Sequence, residues 1–111
     1  MNINIKGTHV DLTPSLKEYV QGKIGGLSKF IQANEARVEL DRDQHHHSGM
    51  VFHAEASVYV GGKIMFAEVR AEDMYAAIDL LVPKLKEQIT KFKDKKSTVN
   101  RSLARKARKK D

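Results

Sequence analysis

The stretch Val51-Phe52-His53-Ala54-Glu55-Ala56-Ser57-Val58-Tyr59-Val60-Gly61-Gly62-Lys63-Ile64-Met65-Phe66-Ala67-Glu68-Val69-Arg70-Ala71 decides the fold. Over its first half Phe52, Ala54, Ala56, Val58 and Val60 fall on one side and Val51, His53, Glu55, Ser57 and Tyr59 on the other, the period of two that marks a strand. Gly61-Gly62 makes the tight turn that a two-residue hairpin needs. Lys63 to Ala71 then returns as a strand, so the two are antiparallel neighbours. Upstream, beyond a polar break at Asp43 to Gly49, Ala36, Val38 and Leu40 alternate with Arg37, Glu39 and Asp41, a third strand with one buried and one charged face. Nearer the N-terminus, Ile3 and Ile5 alternate with Asn4 and Lys6 in a short strand closed by Gly7.

Two helices complete the chain. Thr13 stands as an N-cap with Pro14 at the first helical position, where its missing N–H costs nothing. Leu16, Tyr19, Val20, Ile24, Leu27 and Ile31 form one apolar stripe, with Lys17, Glu18, Lys23 and Lys29 off it. Gly25-Gly26 is the weak point of this helix, since an interior glycine costs roughly 1 kcal/mol relative to alanine. The last helix starts at an Asp73 N-cap, and Met74, Ile78, Leu81, Leu85, Ile89 and Phe92 form its stripe. Lys84, Lys91 and Lys95 lie on one flank of that stripe, Lys86 and Lys93 on the other. Pro83 removes the hydrogen bond to the Asp79 carbonyl, so a kink near Val82 is expected, with Pro83 able to serve as the first residue of a second segment. Tyr75 reads as a core or staple residue and Asp79 as a surface acid favoured by the positive helix start.

The order strand, helix, three strands, helix predicts an α+β fold, a βαβββα two-layer sandwich with a four-stranded sheet and two helices on one face. That order is double-stranded RNA-binding-domain-like, with an added N-terminal strand. One domain is expected over residues 1–96, followed by a flexible basic tail over 97–111.

The 111 residues leave room for a single core. Cysteine is absent, so neither a disulfide framework nor thiol chemistry is available. No secretion signal opens the chain and no apolar run is long enough to span a bilayer, which predicts a cytoplasmic protein without a membrane partner. Charge is polarised along the sequence. Residues 84–111 hold twelve Lys or Arg against Glu87, Asp94 and Asp111, a net of +9, whereas the whole chain carries +6, so everything before Lys84 sums to −3. A single sign gathered on the last helix and the tail is the footprint of a surface that neutralises phosphates.

Candidate RNA-binding residues are Lys17, Lys23 and Lys29 of the first helix, Lys84, Lys91, Lys95 and Lys96 of the second, and Arg101 and Arg105 of the tail. No enzyme, cofactor or small-molecule substrate is expected: Asp73 and Asp79 are a helix cap and a surface acid, not an acid–base pair. The run His45-His46-His47 in a loop, with His53 across the hairpin, is the competing motif for a metal. Consecutive histidines seldom converge on one ion and no metalloenzyme carboxylate spacing accompanies them, so a polar loop is the expectation, or one that touches RNA.

The run Glu72-Asp73-Met74-Tyr75-Ala76-Ala77-Ile78-Asp79 followed by Lys84-Leu85, with Asn2-Ile3-Asn4-Ile5-Lys6-Gly7 and Leu12-Thr13-Pro14, resembles the ribosome hibernation promoting factors and the ribosome-associated inhibitors called protein Y. The resemblance covers Met1 to Lys95 and corresponds to the family's short form, without the dimerisation domain of the long form. It implies a factor, monomeric away from the ribosome, that binds small-subunit rRNA in the decoding channel where tRNA and mRNA lie, blocking translation and preserving idle ribosomes. Lys17, Lys23, Lys29, Lys84, Lys91 and Lys95 stand where relatives carry Lys or Arg. Gly26, Pro83, Glu87 and the strongly basic ending depart from the pattern. A generic structured-RNA-binding module and a histidine-loop metal-binding protein are the alternatives.

Overall fold

The chain folds in the order β1 (Asn2–Thr8), α1 (Pro14–Gly25), a 3-10 turn (Gly26–Lys29), β2 (Glu35–Arg42), β3 (Phe52–Val60), β4 (Lys63–Ala71) and α2 (Met74–Lys110). The computed structural model describes residues 1–45 and 48–110, with side chains as far as Lys93. The four strands form one mixed sheet in the order β1-β2-β3-β4. Strand β1 runs parallel to β2, with Ile3 opposite Ala36 and Ile5 opposite Val38, so α1 is the crossover that a parallel pair requires. The other two pairings are antiparallel. At the β3–β4 turn Gly61 and Gly62 sit at φ of +49° and +84°, a pair of left-handed positions that a two-residue hairpin twisted like its strands demands. That turn closes Val60 against Lys63 and sets the register of the whole hairpin.

Both helices lie on one face. Ala36, Val38 and Leu40 of β2, Ala54, Ala56 and Val58 of β3, and Met65, Ala67 and Val69 of β4 are buried beneath them. Helix α1 contributes Leu16, Val20 and Ile24, and α2 contributes Met74, Ile78, Leu81, Leu85 and Ile89. The small alanines of the central strands leave room for the bulky leucines and isoleucines above them. Val20, Ile24, Ile78, Leu81 and Leu85 reach essentially complete burial, which is worth roughly 1.5–3 kcal/mol per side chain relative to exposure.

Local signals act as expected at the element ends. The Thr13 hydroxyl accepts from Leu16 N at 3.2 Å, capping α1 ahead of Pro14. Asp73 caps α2 by accepting at its carboxylate from Ala76 N, at 3.3 Å. The two glycines end α1: the α-helix stops at Gly25 and the chain tightens to a 3-10 turn from Gly26. At Gly7 a Cβ would lie 2.8 Å from the Val10 carbonyl oxygen and 2.9 Å from Leu12 Cγ, so only glycine lets the following loop fold back against β1.

Pro83 corrects an expectation. α2 is one helical element through it, with no restart. Pro83 and Asp79 are both exposed, so the carbonyl left without its helical partner lies on the solvent side, while buried Leu81 and Leu85 hold the helix on the sheet from either side.

The outer edge of β4 is covered by side chains of α2. Phe66 N donates to Gln88 Oε1 at 3.0 Å, Gln88 Nε2 donates back to the Phe66 carbonyl, and Lys84 Nζ donates to the Glu68 carbonyl at 3.4 Å. One amide thus occupies the N–H and C=O that a further strand would use.

Candidate nucleic-acid interface

The basic side chains are positioned by the stripes that bury their neighbours. Because Leu16, Val20 and Ile24 face the sheet, Lys17 and Lys23 are exposed on α1, and Lys29 is exposed at the end of the 3-10 turn. In the seam between α1 and α2, Tyr19 meets Tyr75 edge-on, with ring centroids 4.9 Å apart and an interplanar angle of 78°. The Tyr19 hydroxyl donates to Asp79 Oδ1, and that bond together with the nearby carboxylate holds the phenol above its ordinary pKa. Lys23 Nζ lies 3.8 Å from Asp79 and 5.5 Å from the Tyr19 ring centroid. Tyr75 is therefore a half-exposed seam residue rather than a core one. The Lys23–Asp79 pair is half-exposed on both sides, and such pairs are worth about 0–1 kcal/mol, so a phosphate can displace it.

The expected basic track is divided. Lys84 hydrogen-bonds over the β4 edge, Lys91 Nζ lies 3.1 Å from Glu87, and Gln88 sits between them on the same flank. This flank faces β4, whereas α1 lies along the other side of α2, where Lys86 Nζ stands 4.6 Å above the exposed Phe30 ring next to Lys29. One bank is thus Lys23, Lys29 and Lys86; the other is Lys84 and Lys91. The exposed ridge of α2, with Leu80, Pro83, Glu87 and Thr90, runs between them. Lys86 was not among the candidates from sequence; its place on the wheel opposite Lys84 was the signal that could have put it beside α1. Lys17 and Lys29 form no ion pair or ring contact among the described residues. Lys95, Lys96, Arg101 and Arg105 lie along the backbone of α2, and their side chains fall outside the described residues.

The other face of the sheet carries no helix and has the opposite character. Glu35, Glu39, Asp41, Glu55 and Glu68 outnumber Lys6, Arg37 and Arg70 on it. Burial and the adjacent Glu39 carboxyl hold the Glu55 carboxyl above the ordinary range. A shallow pocket of about 380 Å³ opens at one end of this face, lined by His9, Asp41, Arg42, Asp43, Gln44, His45, His53 and Arg70. His45 is one of these lining residues; His46 and His47 lie outside the described residues. Among the described residues no helix is long and apolar enough to cross a membrane.

The sequence model of the family described as Sigma 54 modulation protein / S30EA ribosomal protein matches residues 3–97. The chain belongs to that family. Among its relatives, the ribosome hibernation promoting factor of Escherichia coli strain K12 is 36% identical over 96 residues, covering 86% of this chain and 96% of the relative. The ribosome hibernation promotion factor of Bacillus subtilis is 34% identical over 103 residues, 93% of this chain but 52% of the relative. Of solved structures, the Thermus thermophilus Protein Y N-terminal domain superposes with a TM-score of 0.71 at 29% identity, over 83% of this chain and 99% of that one. A ribosomal subunit interface protein from Coxiella burnetii gives 0.72 at 26% identity, over 85% and 99%. The chain thus shares its fold with these two solved proteins, and the family match ends at residue 97.

Proposed function

We propose that the protein is a ribosome hibernation factor that binds small-subunit rRNA in the decoding channel and blocks translation by occlusion rather than by catalysis. Membership of a family whose relatives bear the names ribosome hibernation promoting factor and ribosomal subunit interface protein supports the ribosome as partner. The observation that carries the orientation is the separation of charge between the two faces: lysines on the helix layer, carboxylates on the open sheet. Such a body presents its helices to a phosphate surface and turns its sheet away from it. Lys23, Lys29 and Lys86 form one contact bank and Lys84 and Lys91 the second, with Lys17 at the margin of α1. Residues 1–96 are the ribosome-binding domain; Lys95, Lys96, Arg101 and Arg105 extend the basic surface into the tail over 97–111.

The test is sedimentation on sucrose gradients with 30S, 50S and 70S particles, followed by mapping of protected rRNA positions. Charge reversal of Lys84, Lys91 and Lys95 together releases the protein from small subunits while its circular dichroism is retained, and reversal of Lys23 and Lys86 does the same from the other bank. Unchanged cosedimentation of both variants would refute the reading. Competition by naked duplex RNA as effective as that by ribosomes assigns the chain to generic RNA binding instead.

A further inference from the structure

We propose that His53, Glu55 and Glu68 form a binding site for a divalent transition-metal ion of the zinc class on the open face of the β3–β4 hairpin. The three residues come together through strand register. Glu55 pairs directly with Glu68 across the hairpin, and His53 lies two residues along β3 on the same face. Their ligating atoms all lie within 4.8 Å of one another. His53 Nε2 and Glu68 Oε2 are 3.4 Å apart, and two donors bound to one ion at about 2.1 Å with a tetrahedral angle stand roughly 3.4 Å apart. At that spacing His53 and Glu68, which face each other as an ion pair, can share one ion, and a carboxylate oxygen of Glu55 lies within 4.8 Å of both.

Donor chemistry selects the ion. One imidazole with two carboxylates suits zinc and its first-row neighbours, whereas an all-oxygen set would favour calcium or magnesium. All three residues stand on sheet strands, one of them central, so their backbones are held before any ion arrives. The row they occupy is also otherwise unfavourable: Glu39, Glu55 and Glu68 are directly opposed across three adjacent strands, and like charges so placed destabilise a sheet. Lys6 lies opposite Glu39 and Arg70 opposite His53, yet among the described residues neither forms an ion pair with Glu39, Glu55 or Glu68. Thr8 Oγ1 donates to Glu39 at 3.2 Å and steadies that carboxylate beside Glu55 as an outer partner of the site. The site lies on the face opposite the helices and is built from His53, Glu55 and Glu68 alone.

The experiment titrates zinc into the tag-free full chain carrying His45→Asn, His46→Asn and His47→Asn, read by calorimetry and by the imidazole NMR signals of His53. The expected result is saturable binding of one ion per chain with His53 shifted, weakened about tenfold or more by Glu55→Gln or by His53→Asn. Glu68→Gln, at a mostly exposed position, supplies a variant whose fold is not at risk and has the same expected effect. Loss of all zinc binding in the loop variant, or binding there that both glutamine variants leave unchanged, overturns the site.

Discussion

Glu87 is the acid of the exposed ridge of α2 and is paired with Lys91 of the β4-side bank, and replacing it with glutamine tests whether that bank faces phosphates. Glu87 and Lys91 form an i,i+4 pair at 3.1 Å with side chains 66% and 74% exposed, so the pair contributes about 0.2–0.5 kcal/mol to the helix. Glu87→Gln therefore lowers stability by no more than that amount, which a urea titration measures. On the ribosome the effect has the opposite sign, because an anion leaves the contact surface and Lys91 is freed for a phosphate. One additional neutralised phosphate steepens the log–log dependence of affinity on salt by about 0.7–0.9. Between about 200 mM and about 50 mM salt that amounts to a gain of about threefold relative to the unsubstituted chain. Fluorescence anisotropy of labelled protein with 30S subunits across that range reads both slope and intercept. Parallel salt lines for the two proteins would refute the placement of Lys91 against RNA and leave the α1-side bank as the contact surface.

Further expectations concern the fold and its pH response. Leu81→Ala, at a fully buried position of α2, lowers the unfolding free energy by about 2–5 kcal/mol in chemical denaturation. Gln88→Ala frees the Phe66 N–H and C=O at the β4 edge, so the variant self-associates at concentrations where the parent does not, as read by light scattering. Tyr19 has its folded-state pKa raised above the ordinary 10.0, chiefly by the hydrogen bond to Asp79. The native state thus holds that proton more tightly, and the contribution is present below pH 10.0 and lost as pH rises through the folded value. Tyr19→Phe removes this alkaline fall in stability; an unchanged alkaline limb would show that the bond does not contribute.

Much of the architecture was legible because its signals are local. Strand alternation, the Gly61-Gly62 turn, the Thr13 and Asp73 caps and the helix stripes each depend on residues a few positions apart. A second helical segment at Pro83 is not formed: local propensity opposes the helix there, and packing of Leu81 and Leu85 against the sheet outweighs it. The site was legible only as a set of lysines. Lys86 over Phe30, Lys84 over the β4 edge, and Lys23 drawn to Asp79 all depend on which element lies beside which flank of a helix. The Glu39, Glu55 and Glu68 row follows from strand pairing, although its hairpin half could have been counted from the two-glycine turn.

By itself, then, the sequence determined which face of each element is buried, where the helices begin, and that positive charge gathers toward the C-terminus. Tertiary structure alone decided that the basic surface is two banks and that Glu39, Glu55 and Glu68 stand in one row across three strands. Periodicity specifies a buried direction for each helix or strand separately; which neighbour fills each side is set by sheet order and by the packing of both helices on one core.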